Sequence, residues 1–243
     1  MIAAVVCVDN NYGIGSKNDL LAHIPEDMKM FKEITTGGAV IVGRKTYDSL
    51  TKKPLPNRKN IIVTSKVKRK PKIQKDDTIH SNMNYIKAWL VHPEVVNENC
   101  GIYVIGGGMI YKELLPFCER VYITKVLHSY DDVDTYFPNI DNMPEWEMTS
   151  ASEVKEYNGI KYQFCVYDRI DYEIRSATTT ENTNNKLDMV VKVVTFNSLR
   201  TVTIRMEDDE HLNVYVDNWE YLKDEGNVVK FLEKVKDFKE KEV

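Results

Sequence analysis

Five short runs constrain most strongly what this chain can become: Ile2 to Val8, Val40 to Gly43, Ile61 to Thr64, Ile102 to Gly106 and Val121 to Val126. Each is nearly continuous in Val and Ile rather than alternating, so each suits a strand covered on both faces. Helical patterns fall between them, at Pro25 to Ile34, Arg44 to Leu50, Asn84 to Val91 and Met109 to Leu115. Strand and helix in alternation predict an α/β domain with a mostly parallel central sheet and flanking helices. A later run, Ile160 to Ile170, follows the Asn158-Gly159 turn signal and is rich in Tyr and Phe. It reads as an antiparallel strand completing the sheet.

The pattern changes after residue 170. Ser176 to Lys186 is polar and nearly free of apolar side chains, so residues 171–186 read as a linker. Beyond it, Leu187 to Phe196, Val202 to Met206 and Leu212 to Val216 alternate like half-buried strands, and Val228, Phe231, Leu232, Val235 and Phe238 recur at helical spacing. Residues 187–243 are therefore expected to form a small β-β-β-α appendage. The charges divide at the same place. Residues 1–170 carry 22 basic and 21 acidic side chains, whereas Asp171 onwards carries 11 and 16.

A net charge of −4 gives no electrostatic footprint for nucleic acid, and the basic run Lys66-Val67-Lys68-Arg69-Lys70 is short enough for a solvated loop. The run Ile2 to Val8 is too short for a membrane span and lacks the charged flank of a signal peptide. Cys7, Cys100, Cys118 and Cys165 show no C-x-x-C spacing, and Cys7 and Cys165 lie inside apolar runs. They read as buried free thiols in a reducing compartment. The expectation is a cytoplasmic protein with neither a nucleic-acid nor a membrane partner.

Pro25, Glu26 and Asp27 open the first helical segment, where the missing N–H of proline and the helix dipole favour all three. At about 100° per residue, Ile24, Met28, Phe31 and Ile34 share one arc, and Asp27 falls between Phe31 and Ile34. Glu26, Lys29 and Glu33 face the other way. Asp27 is either a functional carboxylate or a cap of its own helix, and the pattern alone leaves both open.

Ligands of open α/β sheets bind at the carboxyl ends of strands, where helix N-termini present N–H groups. Val42-Gly43-Arg44-Lys45-Thr46 places a glycine, two cations and a hydroxyl at one such end. Ile105-Gly106-Gly107-Gly108-Met109 places three glycines at another, where a ligand backbone can approach closely. Thr64-Ser65-Lys66 is a third. Neither glycine junction is a G-x-G-x-x-G fingerprint or a P-loop, since Tyr111 stands where the third glycine belongs. Each alone is more often a tight turn. Together they point to a large, multiply charged nucleotide.

Six blocks occur in order: Gly13-Ile14-Gly15, Ile24 to Phe31, Gly43 to Leu50, Pro54 to Asn60, Ile105 to Tyr111 and Asp134-Thr135-Tyr136-Phe137-Pro138. In this order and spacing they resemble dihydrofolate reductase over roughly residues 1–170. The resemblance implies reduction of 7,8-dihydrofolate to tetrahydrofolate by NADPH. It makes Asp27 the acid that accepts a bidentate pair from the 2-amino and N3 groups of the pterin, with the Thr124 hydroxyl on that carboxylate. Ala4, Val5, Met28, Phe31, Leu50, Leu55 and Ile105 would wall the pterin and aminobenzoyl rings, and Arg58 would fork onto the α-carboxylate of the glutamate tail. Along NADPH it implies Ala4, Ile14, Leu20, Gly43, Arg44, Lys45, Thr46, Thr64, Ser65, Lys66, Ile105, Gly106, Gly107, Gly108, Met109, Ile110 and Tyr111. Residues Asn10 to His23 match the mobile loop that closes over the nicotinamide, and the first two glycines match a peptide usually in the cis form.

Two residues depart from the family pattern. Ala22 stands where Trp is common, and Met109 stands where some members carry a base. Alternatives are the related pyrimidine reductase of riboflavin synthesis and a catalytically idle binding or assembly module. The appendage, residues 187–243, is expected to mediate self-association or contact with a protein partner.

Overall fold

The computed structural model describes residues 1–74, 78–91, 100–143, 145–170, 172–181, 187–195, 198–206, 212–216 and 225–241. The chain divides into two compact units, Met1–Arg169 and Ile170–Val243.

The first unit opens with β1 (Ile2–Val8), β2 (Gly13–Ser16), β3 (Asp19–Leu20), α1 (Pro25–Thr35), β4 (Ala39–Gly43) and α2 (Arg44–Ser49). It continues through β5 (Lys59–Val63), β6 (Lys72–Ile73), β7 (Ile79–Ser81), α3 (Met83–Leu90), β8 (Ile102–Val104) and α4 (Gly108–Leu114). It ends with β9 (Arg120–Val126), β10 (Thr135–Tyr136), β11 (Trp146–Ala151), β12 (Lys155–Tyr157) and β13 (Ile160–Arg169). The main sheet runs β11-β13-β9-β1-β8-β4-β5-β7-β6, with β12 on β13. The five Val/Ile runs are its contiguous centre, β9-β1-β8-β4-β5, and every neighbouring pair there is parallel. Their continuity has a simple cause. Ala4, Val6, Ile41, Ile61 and Val104 pack in one core layer, while Ala3, Val5, Val40, Val42 and Ile62 pack in another beside Phe31 and Ile34 of α1.

The antiparallel strand expected at the end of this unit is β13, paired with β9. It is reached from β12 through Asn158 and Gly159, both at positive φ, as a two-residue hairpin loop requires. The expected loop Asn10 to His23 needs correction, because it contains a hairpin. β2 and β3 pair antiparallel around Lys17 and Asn18, which have φ of 50° and 68°, and β10 extends the ribbon. Asp9 organises its entry by accepting the N–H groups of Asn11, Gly13 and Tyr130.

The second unit is a four-stranded antiparallel meander, β14 (Tyr172–Glu181), β15 (Leu187–Thr195), β16 (Ser198–Met206) and β17 (Leu212–Val216), followed by α5 (Glu225–Lys241). Ile174, Val191, Val193, Val202 and Ile204 form its core with Phe231 and Val235 of α5. The linker expected over 171–186 is therefore wrong for 172–181, which is a paired strand, whereas residues 187–243 form the expected β-β-β-α of β15, β16, β17 and α5. Residues 182–186 of that linker, and Phe196 at the end of the next expected strand, lie outside the described residues.

All four cysteines are free, but only Cys118 and Cys165 are buried; Cys7 is half-buried, and Cys100 is exposed, against expectation. Among the described residues no helix is long and apolar enough to cross a membrane.

Candidate active site

Asp27 lies in the first turn of α1, where no side chain caps the helix, and its residue is 8% exposed. The capping reading therefore falls away. Oδ1 accepts the hydroxyl of the fully buried Thr124 at 2.5 Å. Burial pushes the Asp27 carboxyl above the ordinary range, and the Thr124 bond opposes that only in part. The adjacent Cys7 thiol is pushed up by burial and then by the charge of Asp27. Glu26 has a different destination. It accepts Lys155 Nζ and the Tyr162 hydroxyl, each at 2.5 Å, and these bonds, that of Lys155 first, hold its carboxyl low.

One face of the sheet carries most of the expected pterin wall. Val5 and Ile105 pack with Phe31, Leu50 and Leu55, while Met28 stays 44% exposed. Ala4 is the exception. Strand alternation turns it into the opposite core layer, so its side chain cannot wall this pocket. Arg58 lies 5.7 Å above the Phe31 ring and donates to Thr35 Oγ1 at 2.9 Å. Among the described ion pairs no carboxylate engages it, and burial lowers its pKa. The turn that carries it is tied by Asn60, which bonds both polar backbone groups of Leu55 and the carbonyl of Arg58.

The three glycine and hydroxyl junctions stand at the carboxyl ends of β8, β4 and β5, which are neighbours in the sheet. Gly43 N–H donates to Gly106 O at 2.7 Å, so two of them interlock. The Gly106-Gly107 peptide is cis. A Cβ on Gly107 would lie 2.8 Å from Thr46 Oγ1, and one on Gly108 would lie 2.8 Å from Thr135. Neither α2 nor α4 has a side-chain cap at its N-terminus, the end of a helix that favours a phosphate. Arg44 pairs with Asp48 at 2.7 Å on the surface, and Lys45, Ser65 and Lys66 are exposed. Thr64 is buried and accepts the Lys66 N–H at 3.3 Å. Met109 is 71% exposed, whereas Ile110 and Tyr111 are core residues, the latter donating its hydroxyl to Val5 O at 2.7 Å. The close backbone, the two uncapped helix starts and the cations at its edge fit a phosphorylated dinucleotide.

Ile14 and the 45% exposed Leu20 lie on the hairpin and, with Cys7, Ala22, Val126 and Tyr130, line a recess next to β1. Ala22 is packed there with Ile24, Val126 and Tyr162, and the Tyr162 and Phe164 rings meet edge to face at 5.5 Å. Aromatics from β13 thus lie beside the small Ala22 side chain. Sequence reading missed Tyr162, and it missed a cluster of Tyr12, Lys125, Asp141 and Tyr167. The one available signal for the latter was a lysine inside the otherwise apolar run of β9.

The family model for dihydrofolate reductase matches residues 1–169. The dihydrofolate reductase of Bacillus subtilis is 37% identical over 172 residues, covering 70% of this chain and 95% of that protein. That of Buchnera aphidicola is 33% identical and is covered over 99% of its length by 69% of this chain. Among solved structures, dihydrofolate reductase from Enterococcus faecalis, complexed with NADP(H) and RAB-propyl, superposes with a TM-score of 0.58 at 31% identity. The match covers 70% of this chain and 97% of that one.

Proposed function

The chain belongs to the dihydrofolate reductase family, and from this premise we propose which residues carry the NADPH-dependent reduction of 7,8-dihydrofolate to tetrahydrofolate. The carrying observation is the buried Asp27 carboxylate, bonded to Thr124 and to no described cation, at the edge of the apolar wall. Such a group suits the hydrogen-bond-donor edge of a planar ligand. Asp27 accepts the 2-amino and N3 hydrogens of the pterin as a charge-assisted pair. It also favours the tautomer that makes N5 more basic, so that water protonates N5. Bound NADPH supplies the hydride that reaches C6. Val5, Phe31, Leu50, Leu55 and Ile105 hold the rings, and Arg58, engaged by no carboxylate among the described ion pairs, takes the α-carboxylate of the glutamate tail. An acid at Asp27 together with Arg58 disfavours the pyrimidine reductase reading, and their joint presence disfavours an idle module.

On the cofactor side, Arg44 and Lys45 favour the 2′-phosphate and hence NADPH over NADH. Arg44 must exchange Asp48 for it, which costs little at an exposed pair. Replacing both cations by alanine is expected to weaken NADPH by about ten- to a hundredfold and NADH hardly at all. Both dissociation constants are measured by fluorescence quenching. Parallel losses would show that these cations do not read the extra phosphate.

For the second unit we propose self-association through residues 187–243. β17 is an edge strand of the four-stranded sheet, and an edge offers unpaired N–H and C=O groups to another chain. A chain ending at Ile170 is expected to fold and to reduce dihydrofolate as a monomer, while the full chain is larger than one copy by light scattering at micromolar concentration. If both are monomeric, association between copies is wrong and a foreign protein partner is the surviving role. A cytoplasmic setting accords with four free cysteines.

A further inference from the structure

Glu26 and Asp27, neighbours in the first turn of α1, are anchored on different strands of one sheet. Asp27 accepts the Thr124 hydroxyl of β9, while Glu26 accepts the Tyr162 hydroxyl of β13 and Lys155 Nζ of β12, each at 2.5 Å. The strand register gathers these anchors. Phe164 stands directly opposite Thr124, Tyr162 opposite Val126, and Lys155 opposite Tyr162, so all share one face of the sheet. Lys155 Nζ also lies 5.3 Å from the centre of the Phe164 ring, which meets the Tyr162 ring edge to face.

Among the described residues no side chain caps the start of α1, and Pro25 has no N–H to give. The placement of this turn therefore falls to its tertiary contacts. Ile24 supplies the apolar one, packed with Ala22, Val126 and Tyr162. Of the polar ones, the Thr124 bond fixes a single oxygen of Asp27. The direction in which that carboxylate leaves the helix is set by the turn itself, and Glu26 ties the turn down.

Magnitude ranks the two grips on Glu26. The Lys155 and Glu26 side chains are 40% and 46% exposed, and a pair so exposed contributes little. Tyr162 is 2% exposed, and its hydroxyl bonds an ionised oxygen, which is the stronger kind of bond. Burial, and then the bond to Glu26, push the Tyr162 hydroxyl up to about 12, while Lys155 and then Tyr162 hold the Glu26 carboxyl low. Donor and acceptor thus keep their states throughout the neutral range.

We propose that Tyr162 is a positioning residue for the reduction: through Glu26 it fixes the first turn of α1 on β13 and so aims the Asp27 carboxylate at the substrate. Tyr162 acts in this way only if Asp27 engages the substrate, as read under the proposed function.

Tyr162→Phe keeps the ring that packs on Ile24 and removes the donor alone. In the full chain kcat/KM for dihydrofolate is expected to fall about tenfold, while the dissociation constant of NADPH stays within about twofold, since the junctions proposed for it lie on β4, β5 and β8. Lys155→Met should cost no more than about twofold. On a Glu26→Ala background Tyr162→Phe should add little further loss, because both changes remove one bond. An unchanged kcat/KM in Tyr162→Phe overturns the proposal, even with a lowered thermal midpoint, which would make the contact merely structural. Equal losses for dihydrofolate and NADPH, a larger loss in Lys155→Met, or losses that add on the Glu26→Ala background overturn it as well. Asp27→Asn assayed alongside keeps the two readings apart: undiminished turnover there removes the role of Asp27 itself, whatever Tyr162→Phe shows.

Discussion

Asp27→Asn is expected to lower turnover at neutral pH by about two to four orders of magnitude, with NADPH affinity within a fewfold of the unaltered chain. The carboxamide keeps the shape and still accepts the Thr124 hydroxyl, which donates to Oδ1 at 2.5 Å. What it loses is the negative charge proposed to face the pterin and one of two acceptors. The junctions proposed to hold the cofactor are built from β4, α2, β5 and the β8–α4 turn, so they are not expected to feel the change. Equal losses in NADPH affinity and turnover would reduce Asp27 to a structural group.

The same substitution separates function from stability, because the Asp27 carboxyl is raised by burial above its unfolded value of 3.8. A raised acid binds its proton more tightly when folded, so its contribution to stability is full below that value and is lost as pH rises through the native pKa. At pH 7 the folded chain therefore carries the cost of a buried carboxylate. Asp27→Asn should unfold at equal or higher denaturant than the unaltered chain at pH 7, and the difference should shrink towards pH 4. An inactive variant that is also less stable at pH 7 would contradict this account.

Where sequence succeeded, one physical period governed the segment. The five central strands are covered on both faces and read as unbroken apolar runs, and α1 places Asp27 on its inner arc by the 3.6-residue repeat alone. Where it failed, that period was interrupted or overruled. Among its described side chains β14 offers only Ile174 and Ala177 to its core, and a register shift between Ile174 and Ser176 breaks its alternation; the threonines that follow look like linker. The β2–β3 hairpin has strands of four and two residues, and its turn is Lys17-Asn18 instead of a glycine dipeptide. Its order comes from Asp9, which ties it to the distant Tyr130, and from β10. Ala4 shows a third kind of failure, since neighbours along a strand face opposite ways, and the block that carries the resemblance does not say which face is the pocket. Cross-chain partners such as Thr124 for Asp27, 97 positions away, are legible only through the resemblance.

Gly106→Ala is expected to cost roughly 2–5 kcal/mol, a large part of the about 5–15 kcal/mol that a domain of this kind possesses. Two effects add. Gly106 has φ +101°, where an L side chain is strained by about 1–2 kcal/mol. Its new Cβ would also lie 2.7 Å from Cε2 and 3.0 Å from Cζ of Tyr111. That ring cannot step aside. Tyr111 is 5% exposed, meets Phe137 edge to face at 4.9 Å and donates its hydroxyl to Val5 O at 2.7 Å, a buried bond that any retreat would break. Displacing Gly106 also strains the Gly43 N–H bond to its carbonyl, which interlocks two of the junctions proposed to hold the cofactor, so NADPH affinity should fall with stability. Gly37→Ala isolates the first effect, since Gly37 has φ +85° and nothing within 4 Å of the added Cβ. It should lose only about 1 kcal/mol and bind NADPH normally. Denaturant midpoints and NADPH titrations on both variants give the comparison, and equal costs at the two sites would show that contact with Tyr111 contributes nothing.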